Sequence, residues 1–296
     1  MKRRGSVVSR FAPLFALALL PAGAGAQVHP PQDRLPLAPP TPTGGVVAPY
    51  FDGFFTNPDG SRTFSFGYLN RNTDPVRGIV EIPVGPDNFI EPAQYNGMQP
   101  TTFYVVNYGG FSGPRERGTF AVTVPPDFRG DVVWTLKNPN GEVTRVPGRA
   151  RSVAYELSIT PQAAGSLRPL VWLSPNGKQG WGPTGVVKDE VLATRVGQPL
   201  QITVWGQDRG ERAPQALNMT WQKHQGPVGG AAKFEPATQR LPTDGESANQ
   251  GTTTVTLDTP GEYVLRVRLD NFGIYDSSFG NMCCWSNGYV RVRVTP

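Results

Sequence analysis

An all-β fold, two antiparallel β-sandwich domains in tandem behind a leader and a proline-rich spacer, is what this sequence predicts. Three observations predict it. After residue 45, apolar and polar residues alternate at period two over most of the chain, as half-buried strands require. Glycine and proline, 35 and 31 of 296 residues, interrupt that alternation every ten residues or so, the spacing of turns between short strands. No convincing amphipathic helix of a dozen residues competes with them.

The chain opens on MKRRGSVVSRFAPLFALALLPAGAGA: a basic start, an apolar run from Phe11 to Leu20, then Ala24-Gly25-Ala26. This reads as a secretory signal peptide, residues 1–26, cleaved near Ala26–Gln27. The run contains Pro13 and stops at Pro21, too short for a mature membrane anchor, and no later segment is apolar enough to span a bilayer. The expected location is secreted or periplasmic, an oxidising compartment. Lys2, Arg3, Arg4 and Arg10 carry four of the 28 positive charges, and the leader has no acid, so the remainder holds 24 against 23, net +1 rather than +5. A basic excess that belongs to targeting removes the case for nucleic acid as a partner.

Residues 27–45, QVHPPQDRLPLAPPTPTGG, hold too many prolines and too few large apolar groups for a core and form a semi-extended linker. About 250 residues follow, two domain lengths. In domain 1, residues 46–160, strands are expected at 62–70, 78–84, 101–107, 118–124 and 131–137, with one more at Val153–Ile159. Asn57-Pro58-Asp59-Gly60 and Asn138-Pro139-Asn140-Gly141 are turns, because proline presets φ and glycine accepts a positive one. In domain 2, residues 161–296, strands are expected at 198–206, 217–223, 251–258, 262–270 and 288–294.

Within domain 2, VGQPLQITVWGQD (196–208) closes a strand on Asp208, Trp221–Pro227 reads W-x-K-x-x-G-P, and PGEYVLRV (260–267) is a turn and strand. In this order the marks resemble the PKD-like, immunoglobulin-type β-sandwich modules of secreted and cell-surface proteins, over about residues 190–296. The resemblance implies an Ig-like sandwich that serves as spacer or binding platform, and domain 1 is expected to be a sandwich of the same general class. Alternation independently places Trp221, Met219 and the set Tyr263, Leu265, Val267 and Leu269 on core faces.

Catalytic chemistry finds little to work with. The two histidines, His29 in the spacer and His224 beside Trp221, have no nucleophile or HExxH helix near them, and the glycines of 226–234 precede no helix. No enzyme is expected; a secreted hydrolase using paired carboxylates is a third-ranked reading. No cofactor is expected either, a structural calcium between the strand-closing Asp208 and Asp270 being set against two ordinary turn caps. His29 would stand third from a new N-terminus at Gln27, a copper-binding position unless that glutamine cyclises.

Two surface sets remain. Arg266 and Arg268 alternate out of phase with buried neighbours, as do Arg291 and Arg293, so pairing of their strands places four guanidinium groups on one solvent face, neutralised by local acids or by an anionic partner. Trp181 stands in a glycine-rich loop, and Phe272, Tyr275, Phe279 and Trp285 crowd the connection 271–287. Such aromatics either hold a ligand or pack the loop and the contact between domains. The expected function is an exported, non-catalytic binding or adhesion-type module that recognises a glycan or protein at the cell surface through these end loops; the alternative is a purely structural spacer or assembly subunit.

Cys283 and Cys284, the only cysteines, are neighbours. Adjacent Cα atoms lie near 3.8 Å apart, below the usual disulfide range of about 4.4–6.8 Å, so a vicinal disulfide needs a turn. Gly280-Asn281 before and Ser286-Asn287-Gly288 after supply turn residues. That ring, two buried thiols, and an intermolecular or metal-bound pair stay open.

Overall fold

The computed structural model describes residues 46–106, 115–157, 165–241, 249–271 and 284–296. Residues 1–45, with the expected leader and spacer and His29, and Phe272, Tyr275, Phe279 and Cys283 lie outside them. The chain from Pro42 to Pro296 forms one compact unit, and its described part is all-β with two hydrophobic cores. Among the described residues no helix is long and apolar enough to cross a membrane.

The N-terminal half carries β1 (Val47–Thr56), β2 (Arg62–Asn70), β3 (Val80–Glu81), β4 (Asn88–Glu91), β5 (Thr102–Phe103), β6 (Arg115–Val124), β7 (Val132–Lys137) and β8 (Val143–Gly148). Sheets β1-β2-β6 and β4-β7-β8, with the small pair β3-β5, enclose an aromatic core. Phe66 stacks on Phe120 at 5.4 Å, and Trp134 meets Phe120 edge-on at 5.0 Å. The buried Trp134 indole donates to Asn88 Oδ1 at 2.9 Å, while Asn88 Nδ2 donates to the carbonyls of Ile82 and Pro100, so both ends of this buried amide are used.

Asn57–Gly60 and Asn138–Gly141 are turns as expected, Gly60 and Gly141 having φ of 81° and 86°. Three strands differ from expectation. Among the described residues, 78–84 and 101–106 form a ladder only at Val80–Glu81 with Thr102–Phe103, closed by Ile82 N donating to Thr101 O at 2.9 Å, and Pro83, which has no N–H, stops it. Of the strand expected at Val153–Ile159, the described residues 153–157 instead begin with a single 3₁₀ turn at Val153–Tyr155, because Ser152 Oγ accepts from Ala154 N and offers the backbone a local alternative.

Strand β1 is masked in the sequence by Pro49, Asp52 and Gly53. It runs core-side at Val47 and Phe51, then bulges between Phe51 and Gly53, so the phase changes. Phe54 thereby stays on the core of its own half and Phe55 turns to the opposite face. Only glycine serves at 53: φ is +140°, and a Cβ there would lie 2.5 Å from the Tyr155 carbonyl oxygen.

The C-terminal half carries β9 (Ser166–Trp172), β10 (Val186–Val187), β11 (Leu192–Arg195), β12 (Leu200–Gly210), β13 (Leu217–Gln225), β14 (Ala232–Glu235), β15 (Thr238–Leu241), β16 (Asn249–Leu257), β17 (Gly261–Asp270) and β18 (Trp285–Thr295). One sheet orders β9-β12-β16-β14; the other orders β15-β13-β17-β18, with β10 and β11 parallel to β18. The first strand is thus divided between sheets, and the core strands run A-B-E-D against C-F-G, an immunoglobulin-type sandwich. Ile202, Val204, Val255 and Leu257 of one sheet meet Met219, Trp221, Val267, Leu269 and Val290 of the other, and Trp221 is a core residue as its phase predicts.

Candidate functional site

The site begins with the outer face of the β17–β18 ladder. Tyr263, Leu265, Val267 and Leu269 point into the core, so Arg266, Arg268 and Asp270 point away from it, opposite Tyr289, Asn287 and Trp285 of β18. Further along the same face Val264 and Glu262 stand opposite Arg291 and Arg293. The expected alternation holds, yet the four arginines do not share a solvent face. The N-terminal half covers the Trp285–Tyr289 end, leaving Arg266 2 % exposed, and only Arg291 and Arg293 remain in solvent, the latter paired with Glu262 at 2.7 Å.

What covers that end is a bulge in β6, where the register with β2 shifts between Phe66 and Tyr68. Glu116, itself buried, accepts from Arg266 Nη2 at 2.5 Å and lies 3.5 Å from Arg268 Nη1. Burial alone would lower the Arg266 pKa; the Glu116 carboxylate overrides it and raises it above the usual value. Asn287 Nδ2 donates to Gly118 O at 2.7 Å, and the Tyr289 hydroxyl donates to Thr119 O at 2.9 Å. Desolvation pushes the Tyr289 phenol to about 12, which keeps that hydroxyl a donor.

A second patch forms where β13 bulges between Lys223 and Gln225. The extra residue, His224, turns into the contact, its Nε2 2.8 Å from Met98 O and its ring 5.2 Å from Tyr289. Since a carbonyl can only accept, Nε2 carries the proton. Burial, with Arg266 nearby, lowers its pKa to about 3, so the ring is neutral. Lys223 Nζ pairs with Glu81 and donates to Gly230 O, and Thr101 N donates to His224 O at 2.8 Å. The Tyr104 hydroxyl bonds both Lys223 backbone groups, at 3.0 and 3.3 Å.

The third patch is apolar. Phe55, freed by the β1 bulge, packs with Leu157 and Trp285. Trp285 is 6 % exposed, with the Arg268 guanidinium 4.5 Å from its ring centroid. This corrects its reading as a loop aromatic: it opens β18 and is buried, because Phe55 and Leu157 come from a half whose contribution its own neighbours in sequence do not reveal.

Beside this patch lies an open cleft of about 270 Å³, floored by both halves. Phe55, Thr63 and Thr123 enter from β1, β2 and β6, Asn57 enters from the β1–β2 turn, and Gln179–Trp181 and Pro183–Gly185 enter from the loop before β10. Trp181, 36 % exposed, lines it, its ring edge-to-face with Phe55 at 6.3 Å and 5.0 Å from the Arg168 guanidinium. The loop is pinned from below. Gly182 N donates to Ser286 Oγ at 2.8 Å, Asn287 N donates to Gly182 O at 3.1 Å, and a Cβ at Gly185 (φ +57°) would sit 1.8 Å from Asn287 O.

Asp208 is buried and engaged by Arg212 Nη1 at 3.0 Å, Gln215 N at 2.7 Å and Asn271; Asp270 accepts from Asn218 Nδ2 at 3.1 Å. Cys284 is buried with φ +126°, just before β18. Asp52, at the β1 bulge, accepts from Gly118 N at 2.9 Å and Ser65 Oγ at 3.1 Å, while its Oδ1 is shielded and bonded to nothing among the described residues. Desolvation raises it to about 7 against the nearby Arg117. Glu116, Asp52, Phe55, Thr63 and Thr123 escaped sequence reasoning, since each acts across the two halves or at a bulge; the only local signal was Gly53 and Gly118 interrupting good strands.

No family model matches the chain, and no curated protein is similar to it. Among solved structures it is similar to domains 4 and 5 of the S-layer protein SbsC (13% identity, 58% of this chain and 69% of that one, TM-score 0.23) and to the D00-D0 domain of intimin (12%, 83% and 99%, 0.26). It is also similar to the Yersinia pseudotuberculosis adhesin InvE (12%, 84% and 58%, 0.24). Overlaps this small leave the fold resting on the chain's own strands and cores.

Proposed function

We propose that this chain is an exported, non-catalytic binding or adhesion-type module in which two sandwich domains, 46–160 and 161–296, work as one rigid body. Export follows cleavage near Ala26–Gln27, and the C-terminal domain is PKD-like in the sense of its W-x-K-x-x-G-P and PGEYVLRV marks. Its partner is a glycan or protein at the cell surface, with neither cofactor nor nucleic acid involved. Cys283 and Cys284 close a vicinal disulfide at the start of β18; the positive φ and burial of Cys284 support it.

The observation that carries this reading is the buried Glu116–Arg266 pair between the halves. A charge pair shielded from water is tolerable only with fixed geometry and further hydrogen bonds, which Gln222, Thr119 and Arg268 supply. A hinged linker between two independent modules would not maintain it. The contacts of β6 with β17 and β18 therefore brace the junction, which favours a load-transmitting surface module over a mobile sensor. Small-angle scattering of the mature chain should fit residues 46–296 as a single rigid particle, with no turnover across a glycan and peptide panel. Scattering that requires two independently moving bodies, or turnover abolished by replacing one carboxylate, would sink the reading.

A further inference from the structure

We propose that the cleft between the halves is a binding site for one ring of a neutral saccharide, stacked on Trp181. The proposal rests on the binding-module reading above and specifies its ligand. The ten lining residues include no charged side chain, which disfavours phosphates, acidic sugars and charged peptides. They combine one aromatic body with short neutral donors and acceptors, the pairing that suits a sugar's apolar C–H face and its ring of hydroxyls.

Spare hydrogen-bonding capacity lies around Trp181. The exposed Gln179 and Thr184 side chains flank it and bond no described residue. Opposite them runs a hydroxyl ladder: Asn57 Nδ2 donates to Thr63 Oγ1 at 3.0 Å, and Thr63 Oγ1 lies 2.9 Å from Thr123 Oγ1. Asn57 Oδ1 accepts no bond within that ladder. At about 270 Å³ the cleft falls just under the ~300 Å³ at which ligand pockets begin, so it seats a single ring and leaves the rest of a glycan in solvent.

The walls are fixed before any ligand arrives. Ser286 and Asn287 hold the Trp181 loop from β18, Arg168 and Phe55 hold the indole, and Thr63 and Thr123 sit on paired strands β2 and β6. Preorganisation of this kind reduces the ordering cost of binding a small, weakly hydrophobic ligand.

The test is a titration of the mature chain with cellobiose, lactose, mannobiose and N,N′-diacetylchitobiose, read by the Trp181 indole N–H resonance. A sialylated trisaccharide and a charged hexapeptide form separate arms. At least one neutral disaccharide should shift that resonance saturably. Trp181→Ala should weaken binding about tenfold or more and Thr123→Val several-fold, the exposed Thr123→Val melting near wild type so that its loss of binding is separate from any stability lost with the indole's packing on Phe55 and Arg168. No shift with any neutral sugar, binding that survives Trp181→Ala, or a response to the acidic sugar or peptide alone overturns the proposal. Rigid-body scattering with an inert cleft would remove the ligand assignment only, whereas two moving bodies would remove the module reading beneath it.

Discussion

Two desolvated titratable groups set opposite demands on pH. His224 is neutral in the fold, with its pKa lowered to about 3 from 6.5, so the unfolded chain takes up the proton first and stability falls as pH drops from 6.5 toward 3. Asp52 is raised to about 7 from 3.8, so the fold holds the proton longer and stability falls as pH rises from about 4 through 7. Across pH 4–6.5 the two slopes oppose each other. His224→Gln, which still donates to Met98 O, should become more stable relative to wild type on acidification through that window. Asp52→Asn should become less stable. Denaturant titrations at pH 4.5, 5.5, 6.5 and 7.5 read both, with relative changes on the order of 2 kcal/mol, one pKa unit being about 1.4 kcal/mol. Asp52 faces Ser65, Glu116, Arg117 and Gly118, and His224 faces Arg266, Tyr289 and Met98. Parallel slopes for all three proteins would exclude both roles.

Single elements decide where these residues point. Bulges in β1 and β13 each turn one residue, Phe55 or His224, out of phase toward the junction, and the wider bulge in β6, with two extra residues, brings Gly118 and Thr119 to it. Regular alternation was legible in sequence, and β2, β7, β12, β13, β16, β17 and the core stretch of β18 follow it. Bulges were not, because one or two inserted residues redirect a strand without altering its composition. The same limit applies to the site: the glycine-rich setting of Trp181 marked a presenting loop, but Thr63 and Thr123 looked like any solvent-facing threonines in a strand. The loop's fixed shape leads to a prediction at this scale. Gly185→Ala combines a left-handed φ with a methyl placed on Asn287 O, so it should cost roughly 2 kcal/mol or more and release Trp181. A raised Trp181 indole mobility by NMR relaxation would report it; an unchanged spectrum and melting temperature would count against pinning from β18.

At the scale of the whole molecule, the junction couples two cores that each have their own hydrophobic residues. Removing one partner of the buried pair leaves the other charge stranded, a loss of roughly 3–5 kcal/mol. Glu116→Ala should therefore split a single unfolding transition into two, seen as divergence between Trp134-dominated and Trp221-dominated signals in urea. Glu116→Leu with Arg266→Met should recover much of the lost stability, because an apolar pair carries no stranded charge. One unbroken transition in Glu116→Ala would show that the halves are coupled elsewhere, through the Lys223–Glu81 patch.

The bonds that join Asn287 and Tyr289 to Gly118 and Thr119 link residues 169 and 170 positions apart. Closing so long a loop is entropically expensive until both ends are already ordered, so these contacts form after the strand pairs inside each half. During folding the Glu116 carboxylate waits hydrated on an open face, and the two halves meet as finished pieces. The Trp181 cleft, whose walls come from both pieces, exists only once that last step is complete.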